Sequence, residues 1–179
     1  MKKTLVISGS GGQGVMSAGI IIAEAAVDSG RNAVYLPEYG PQQRGGTAKC
    51  TVITDEEEIV SPLASKCDVL IALNSQSYSK FKKAVKPGGT LIVNSSMTGQ
   101  TENIDGFKII NVPADDISSS LGNIKVSNIV MIGALLSSGA DIIGKEEMTK
   151  TLVQKFSSKS GSADINLEAL NAGINYREK

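Results

Sequence analysis

The residues Gly9-Ser10-Gly11-Gly12-Gln13-Gly14 follow the apolar run Leu5-Val6-Ile7 and precede a long apolar-periodic stretch. Glycines at a strand-to-helix junction let the chain turn tightly and leave backbone N–H groups open. That chemistry suits an anion, a phosphate above all. Gly9, Gly11 and Gly14 fit the spacing G-x-G-x-x-G. A dinucleotide site built on that spacing also needs an acidic residue near the end of the second strand, and Glu38 lies close to that point. A G-x-x-x-x-G-K-[ST] phosphate loop is excluded, because no Lys-Ser or Lys-Thr pair follows the last glycine. The same glycines also serve a tight turn and close helix–strand packing with no ligand. Spacing alone leaves a free dinucleotide site, a role played in company with other chains, and a plain turn all open.

A second segment is more distinctive. Pro37-Glu38-Tyr39-Gly40-Pro41-Gln42-Gln43-Arg44-Gly45-Gly46 packs two prolines and three glycines into ten positions. Such a loop is stiff and of special backbone geometry, and stiffness suits recognition better than spacing. Arg44 precedes two glycines, which let a guanidinium approach a partner backbone or an anion without steric hindrance. The bland alternative is a surface turn with a solvated arginine. Cys50 and Cys67 are isolated and read as small buried hydrophobes, not nucleophiles. Asp55 to Glu58 reads as a solvated hairpin tip, since a metal loop would space its oxygens at alternate positions. Lys80, Lys82, Lys83 and Lys86 read as a solvated helix face, with docking of an acidic partner as the alternative.

Composition narrows the classes. Lys+Arg and Asp+Glu balance at 18 each, so no electrostatic case favours nucleic acid or an anionic membrane. There is no histidine, which removes the commonest general base and metal ligand. There is no cysteine cluster, so an iron–sulfur cluster or other metal has no ligand set here. No catalytic residue is assigned. No apolar run reaches the length of a membrane span, and a reduced cytoplasmic setting is expected.

The elements that must position these residues are legible from period and punctuation. Thr4 to Ser8 predicts a buried strand, Gln13 to Ser29 a helix capped by Gly30, and Asn32 to Leu36 a second strand. That β–loop–α–β unit predicts a parallel sheet. Thr47 to Thr54 predicts a strand, with Ile59-Val60 as its hairpin partner across the acidic turn. Asp68 to Leu73, Thr90 to Val93 and Phe107 to Val112 predict further strands. A helix is expected over 75–85 and a turn at Lys86-Pro87-Gly88-Gly89. Helices then dominate, over 113–121, 127–138, 145–157 and 164–176, the second of them apolar nearly all round and so buried. The fold class expected is α/β: a three-layer sandwich with a mostly parallel sheet, a Rossmann-like N-terminal unit, a β-hairpin and C-terminal helices. At 179 residues one domain is expected over 1–179.

Taken together, these segments resemble the gamma subunit of the 2-oxoacid:ferredoxin oxidoreductases. The resemblance is carried by Gly9 to Val15 with Ala18-Gly19, and by Pro37 to Pro41 with Arg44-Gly45-Gly46. It extends through Ser61-Pro62, Asp68-Val69-Leu70, Lys86-Pro87-Gly88-Gly89, Asn94-Ser95-Ser96, Asn166 and Gly173. It implies an assembly that oxidatively decarboxylates a 2-oxoacid to an acyl-CoA and passes electrons to ferredoxin. Thiamine diphosphate with Mg, iron–sulfur clusters and coenzyme A would serve the complex, and none is expected on this chain except through a coenzyme A contact. The partners implied are alpha, beta and delta subunits, with self-pairing open to the isolated chain. Gly9, Gly11, Gly12, Gln13 and Gly14 are the candidate anion or coenzyme A contacts, and Tyr39, Gly40, Pro41, Arg44, Gly45 and Gly46 the candidate interface. Arg44-Gly45-Gly46-Thr47 followed by Cys50 looks more like the 2-oxoglutarate branch than the pyruvate branch. Glu38 departs from the pattern, since relatives often carry a small residue there. A stand-alone NAD(P)-binding protein and an indolepyruvate oxidoreductase small subunit are the alternatives.

Overall fold

Leu5 and Ile7 point to one face of β1 (Lys3–Ser10) and Val6 to the other, and all three are buried, as expected of a strand covered on both sides. The structure, a computed structural model, describes residues 1–40, 46–157 and 162–178, without the side chain of Ser162. After β1 come α1 (Val15–Asp28), β2 (Asn32–Tyr39) and β3 (Thr47–Asp55). Next are β4 (Cys67–Ala72), α2 (Ser75–Phe81) with a 3-10 turn at Lys82–Ala84, β5 (Val85–Asn94), α3 (Ser95–Thr98) and β6 (Lys108–Val112). The chain finishes with α4 (Ala114–Ser120), α5 (Ser127–Ser137), α6 (Lys145–Phe156) and α7 (Ser162–Asn175).

The sheet has six strands in the order β2-β3-β1-β4-β5-β6. β1, β4, β5 and β6 run parallel, whereas β3 is antiparallel to both of its neighbours. The expected α/β architecture holds, and the hairpin is where the reading needs correction. β3 does not pair with Ile59-Val60, which form no strand; it pairs with β2, from Asn32↔Asp55 to Tyr39↔Ala48. The chain therefore reverses through the proline-glycine loop, not through the acidic turn. Gly40 N donates to Thr47 O at 2.9 Å to close the base of that reversal. A long register of β-branched and apolar residues in β3 outcompetes the short Ile-Val pair. Lys86 to Gly89 is likewise not a free turn. It lies inside β5, where Gly88 takes φ 78 and the register against β4 shifts between Cys67 and Val69.

Two cores result, one on each face. Leu5, Ile7, Val52, Val69, Ile71 and Ile92 pack under α1 and the C-terminal helices. Val6, Leu70, Leu91 and Val93 pack under Tyr78 and Phe81 of α2. α5 is buried continuously from Asn128 to Leu135, as its apolar composition requires. It crosses α7 at two glycines: a Cβ built on Gly133 would meet Gly173 Cα at 2.8 Å, and one built on Gly173 would meet Gly133 Cα at 2.9 Å. Backbone, not side chain, forms this contact. Gly133→Ala or Gly173→Ala should each cost about 1–3 kcal/mol by overpacking. Urea unfolding of the full chain checks it, through a lower midpoint at unchanged slope.

Candidate functional site

The glycine loop sits where β1 ends, beside the end of β4, where the connections diverge to opposite sides of the sheet. Clefts at such points of an α/β sheet lie outside the carboxyl ends of the strands. Gly12 takes φ 96 with open space around it, and Gly14 takes φ 74 as the residue capping α1. Both sit in the left-handed region that favours glycine. Gly14 also abuts a neighbour, since a Cβ there would meet Asn128 Nδ2 at 2.5 Å. Gly9 is needed for closeness alone: its Cβ would meet Gln13 Oε1 and Val15 Cγ2 at 2.9 Å each.

Gln13 is the latch of this loop. Its Oε1 accepts from Ser10 N at 2.7 Å and from Asn74 Nδ2 at 2.8 Å, and its Nε2 donates to Leu73 O at 3.3 Å. Asn74 in turn donates to Ser10 Oγ at 3.0 Å and, through Oδ1, accepts from Ser77 N at 2.9 Å to cap α2. Asn94 at the end of β5 donates to Leu73 O at 3.4 Å and Asp115 Oδ1 at 3.1 Å, while accepting from Ala114 N at 3.1 Å. Asn128 of α5 donates to Gly14 O at 3.2 Å. Sequence reasoning missed Asn74, Asn128 and the role of Asn94. A signal existed for two of them: Leu73-Asn74-Ser75 and Val93-Asn94-Ser95 each end an apolar run with a helix-starting pair.

A cleft of about 300 Å³ opens over the loop, lined by Ser10, Gly11, Gly12, Gly14, Val15, Met16, Ser17, Tyr39 and Ala48. None of these side chains carries a charge. No side chain caps the first turn of α1, a helix of 14 residues, so its N–H groups and dipole face the cleft. The arrangement can hold an anion through backbone donors, and among the described lining residues no side chain moves a proton at neutral pH.

The two sequence motifs meet here. Gly11 N donates to Gly46 O at 3.3 Å, and Tyr39, 74 % exposed, forms one wall of the cleft. Gly40 and Gly46 form the base of the reversal, while Pro41, Arg44 and Gly45 lie outside the described residues. Glu38 is not brought to the loop. Strand alternation turns it to the face opposite α1, where its Oε1 pairs with Lys49 Nζ at 2.7 Å. β3 also lies between β2 and β1, which holds Glu38 roughly two strand spacings, about 9.6 Å, from β1. The dinucleotide geometry thus lacks its ribose acid.

A second concave surface lies along α1 and the edge strand β2. It is about 340 Å³ in volume and lined by Ile20, Ala23, Glu24, Val27, Asp28, Ala33 and Tyr35. Val60 and Leu63, 91 % and 83 % exposed, add apolar surface on the connection before β4. The cysteines are buried apart from each other. Burial pushes the Cys50 thiol up to about 12 and the Cys67 thiol up to about 11, from an ordinary 9.0. Among the described residues, no three His, Cys, Asp or Glu side chains gather as a metal site.

These features define an α/β domain that offers backbone donors and docking surface, with the reacting groups of an enzyme absent from its described cleft. The chain belongs to the pyruvate ferredoxin/flavodoxin oxidoreductase family, which it matches from residue 4 to residue 176. It is 35% identical over 177 residues to the 2-oxoglutarate synthase subunit KorC of Methanocaldococcus jannaschii, covering 97% of this chain and 92% of that one. It is 35% identical over 173 residues to the ketoisovalerate oxidoreductase subunit VorA of Methanothermobacter marburgensis, covering 97% of this chain and 36% of that one. The chain thus spans about a third of the VorA subunits it matches. Among solved structures, the gamma subunit of a keto/oxoacid ferredoxin oxidoreductase from Geobacter sulfurreducens superposes with TM-score 0.85 at 29% identity, over 97% of this chain and 95% of that one. A 2-oxoglutarate:ferredoxin oxidoreductase from Magnetococcus marinus, solved with 2-oxoglutarate, coenzyme A and succinyl-CoA bound, shares the fold. Its TM-score is 0.86 at 22% identity, over 97% of this chain and 30% of that one.

The buried thiols give a pH prediction. Each keeps its proton to higher pH in the folded chain than in the unfolded one, so the unfolded chain sheds protons first. Their contribution to stability is complete below about pH 9 and is lost as pH rises from there toward about 12. The urea midpoint should fall between pH 8 and pH 10, and the fall should be shallower in Cys50→Ala. Native protein at pH 8 should react with Ellman's reagent far more slowly than unfolded protein.

Proposed function

We propose that this chain is the gamma subunit of a multi-subunit 2-oxoacid:ferredoxin oxidoreductase. The complex would oxidatively decarboxylate 2-oxoglutarate to its acyl-CoA and pass the electrons to ferredoxin. The observation that carries this reading is the nearly full-length match to a 2-oxoglutarate synthase subunit. The cleft supports it, because it supplies donors for a phosphate without reacting side chains of its own. The groove along α1 and β2, with exposed Val60 and Leu63, supports a chain that works against other subunits, here alpha, beta and delta. In this reading Tyr39, Gly40 and Gly46 form the interface beside the cleft, and Pro41, Arg44 and Gly45 belong to it by sequence.

The residues fit coenzyme A only through its phosphates. Open space at Gly12 and the uncapped N–H groups of α1 would hold phosphate oxygens, and no carboxylate lines the cleft to repel them. Bound coenzyme A would supply the thiol that accepts the acyl group. The described residues do not fit a metal cluster, since the two cysteines are buried singly and no ligand group assembles. In this reading thiamine diphosphate, Mg and the iron–sulfur clusters belong to the other subunits.

Co-expression with and without this chain tests the proposal. Coenzyme A-dependent oxidation of 2-oxoglutarate should be lost when the chain is omitted, and unchanged turnover without it overturns the reading. A finer test compares Gly12→Asp with Gly12→Asn, since the two side chains share the strain of the positive φ and differ in charge. The aspartate variant should raise KM for coenzyme A about tenfold over the asparagine variant, about 1.4 kcal/mol, with KM for 2-oxoglutarate unchanged.

A further inference from the structure

Strand register fixes which backbone groups of β2 face outward. Gly40 N donates to Thr47 O, a contact that continues the β2–β3 register by one residue as a hydrogen-bonded pair. Such pairs alternate along an antiparallel ladder. Asn32, Val34, Leu36 and Glu38 therefore bond to β3, while Ala33, Tyr35, Pro37 and Tyr39 turn their backbone groups away from it. Among the described residues β2 ends the sheet, so those groups face an open edge. Pro37 has no N–H to offer there, which stops a ladder from running on toward the cleft. Ala33 and Tyr35 keep both their N–H and their C=O groups.

The same two residues line the groove along α1. Ile20, Ala23 and Val27 face it at helical spacing, and Val27 is exposed. The charged residues of its lining are Glu24 and Asp28. Glu24 pairs with Lys155. Asp28 accepts from Thr151 Oγ1 at 3.1 Å, and among the described residues no cation lies within ion-pair distance of it. Asp28 also sits in the last turn of α1, where the helix dipole favours a cation and no basic residue is present. An unmet negative charge thus shares an apolar groove with unmet backbone donors and acceptors.

We infer that an extended segment of another subunit adds to the sheet at Ala33 and Tyr35, lays apolar side chains against α1 and sets a lysine or arginine at Asp28. This rests on the subunit reading proposed above. Backbone bonds to the edge give such a segment its affinity, and the groove selects its side chains. A second copy of this chain does not suit the site, since its β2 brings Glu38 and no lysine or arginine. In the VorA subunits a domain like this one is joined to further protein.

The assembled complex carrying Ala33→Pro tests this, because proline there removes an outward N–H and spares every backbone bond to β3. The Kd for retention of this chain, read by dilution and size exclusion, should rise tenfold or more. Asp28→Lys should raise it likewise, although lysine in the last turn suits the helix itself. Urea unfolding of the full chain monitors folding; if Ala33→Pro lowers the midpoint, Asp28→Lys decides. Benzoylphenylalanine placed at Val27 in the complex should cross-link to a segment of another subunit that carries a lysine or arginine. Unchanged retention in either folded variant overturns the inference. So does a cross-link only to a second copy of this chain, or to no other subunit. A wild-type chain that never co-purifies with the other subunits would instead sink the function proposed above, and this inference with it.

Discussion

The candidate cleft depends on the carboxamide of Gln13, which holds the glycine loop in place. One oxygen accepts both a backbone N–H of the glycine loop and the side chain of Asn74, while the nitrogen returns to the carbonyl of Leu73. These bonds tie the end of β1 to the end of β4 and use up the donors and acceptors that point inward. Gly11 N is spent on Gly46 O and Gln13 N on Ser10 O, so the donors left for a ligand are those at Gly12 and along the first turn of α1. Without the latch, a run of glycines would sample many conformations, and ordering it on a ligand would cost entropy. With it, the cleft is already shaped.

A second constraint follows from where the chain reverses. The loop after Tyr39 sends β3 back between β2 and β1, so β2 becomes the edge of the sheet. That single insertion has three consequences. It carries Glu38 away from the glycine loop and turns it toward Lys49. It leaves Tyr35 and Ala33 lining an open groove with α1. It also brings Gly46 against Gly11, so that the two motifs share one cleft. At the opposite edge, the side chains of Glu178 and Asn111 pair at 2.8 Å over β6. The open edge of the sheet is thus the one beside the candidate site.

Much of the fold was legible because it rests on local rules. The strands beginning at Lys3, Cys67 and Lys108 are short apolar runs, and α5 is apolar on all sides, so burial could be read from composition. The left-handed glycine at 30 could be read from its place at a helix end, whereas Gly14 was read inside the helix and instead caps it. The hairpin could not, because two candidate partners for β3 lay on either side of it. The choice depended on a register of eight paired residues, not on any turn residue. The turn at Lys86 to Gly89 failed for a related reason: a neighbouring strand absorbed it as an irregularity. In the site, the glycines were visible but Asn128, 114 residues from its partner Gly14, was not.

Sequence by itself determined the chemistry available to this protein. It supplied a glycine loop, no histidine, two isolated cysteines and a cationic stretch around α2, and these limits hold in any fold. Tertiary structure decided which of those groups meet. Pairing between distant segments placed β3 inside the sheet, matched Glu38 with Lys49 and closed Gln13 onto Asn74. The physical reason is that side-chain type travels with the residue, whereas proximity depends on how long-range packing and strand register resolve competing partners. Local pattern can name those partners but cannot choose between them.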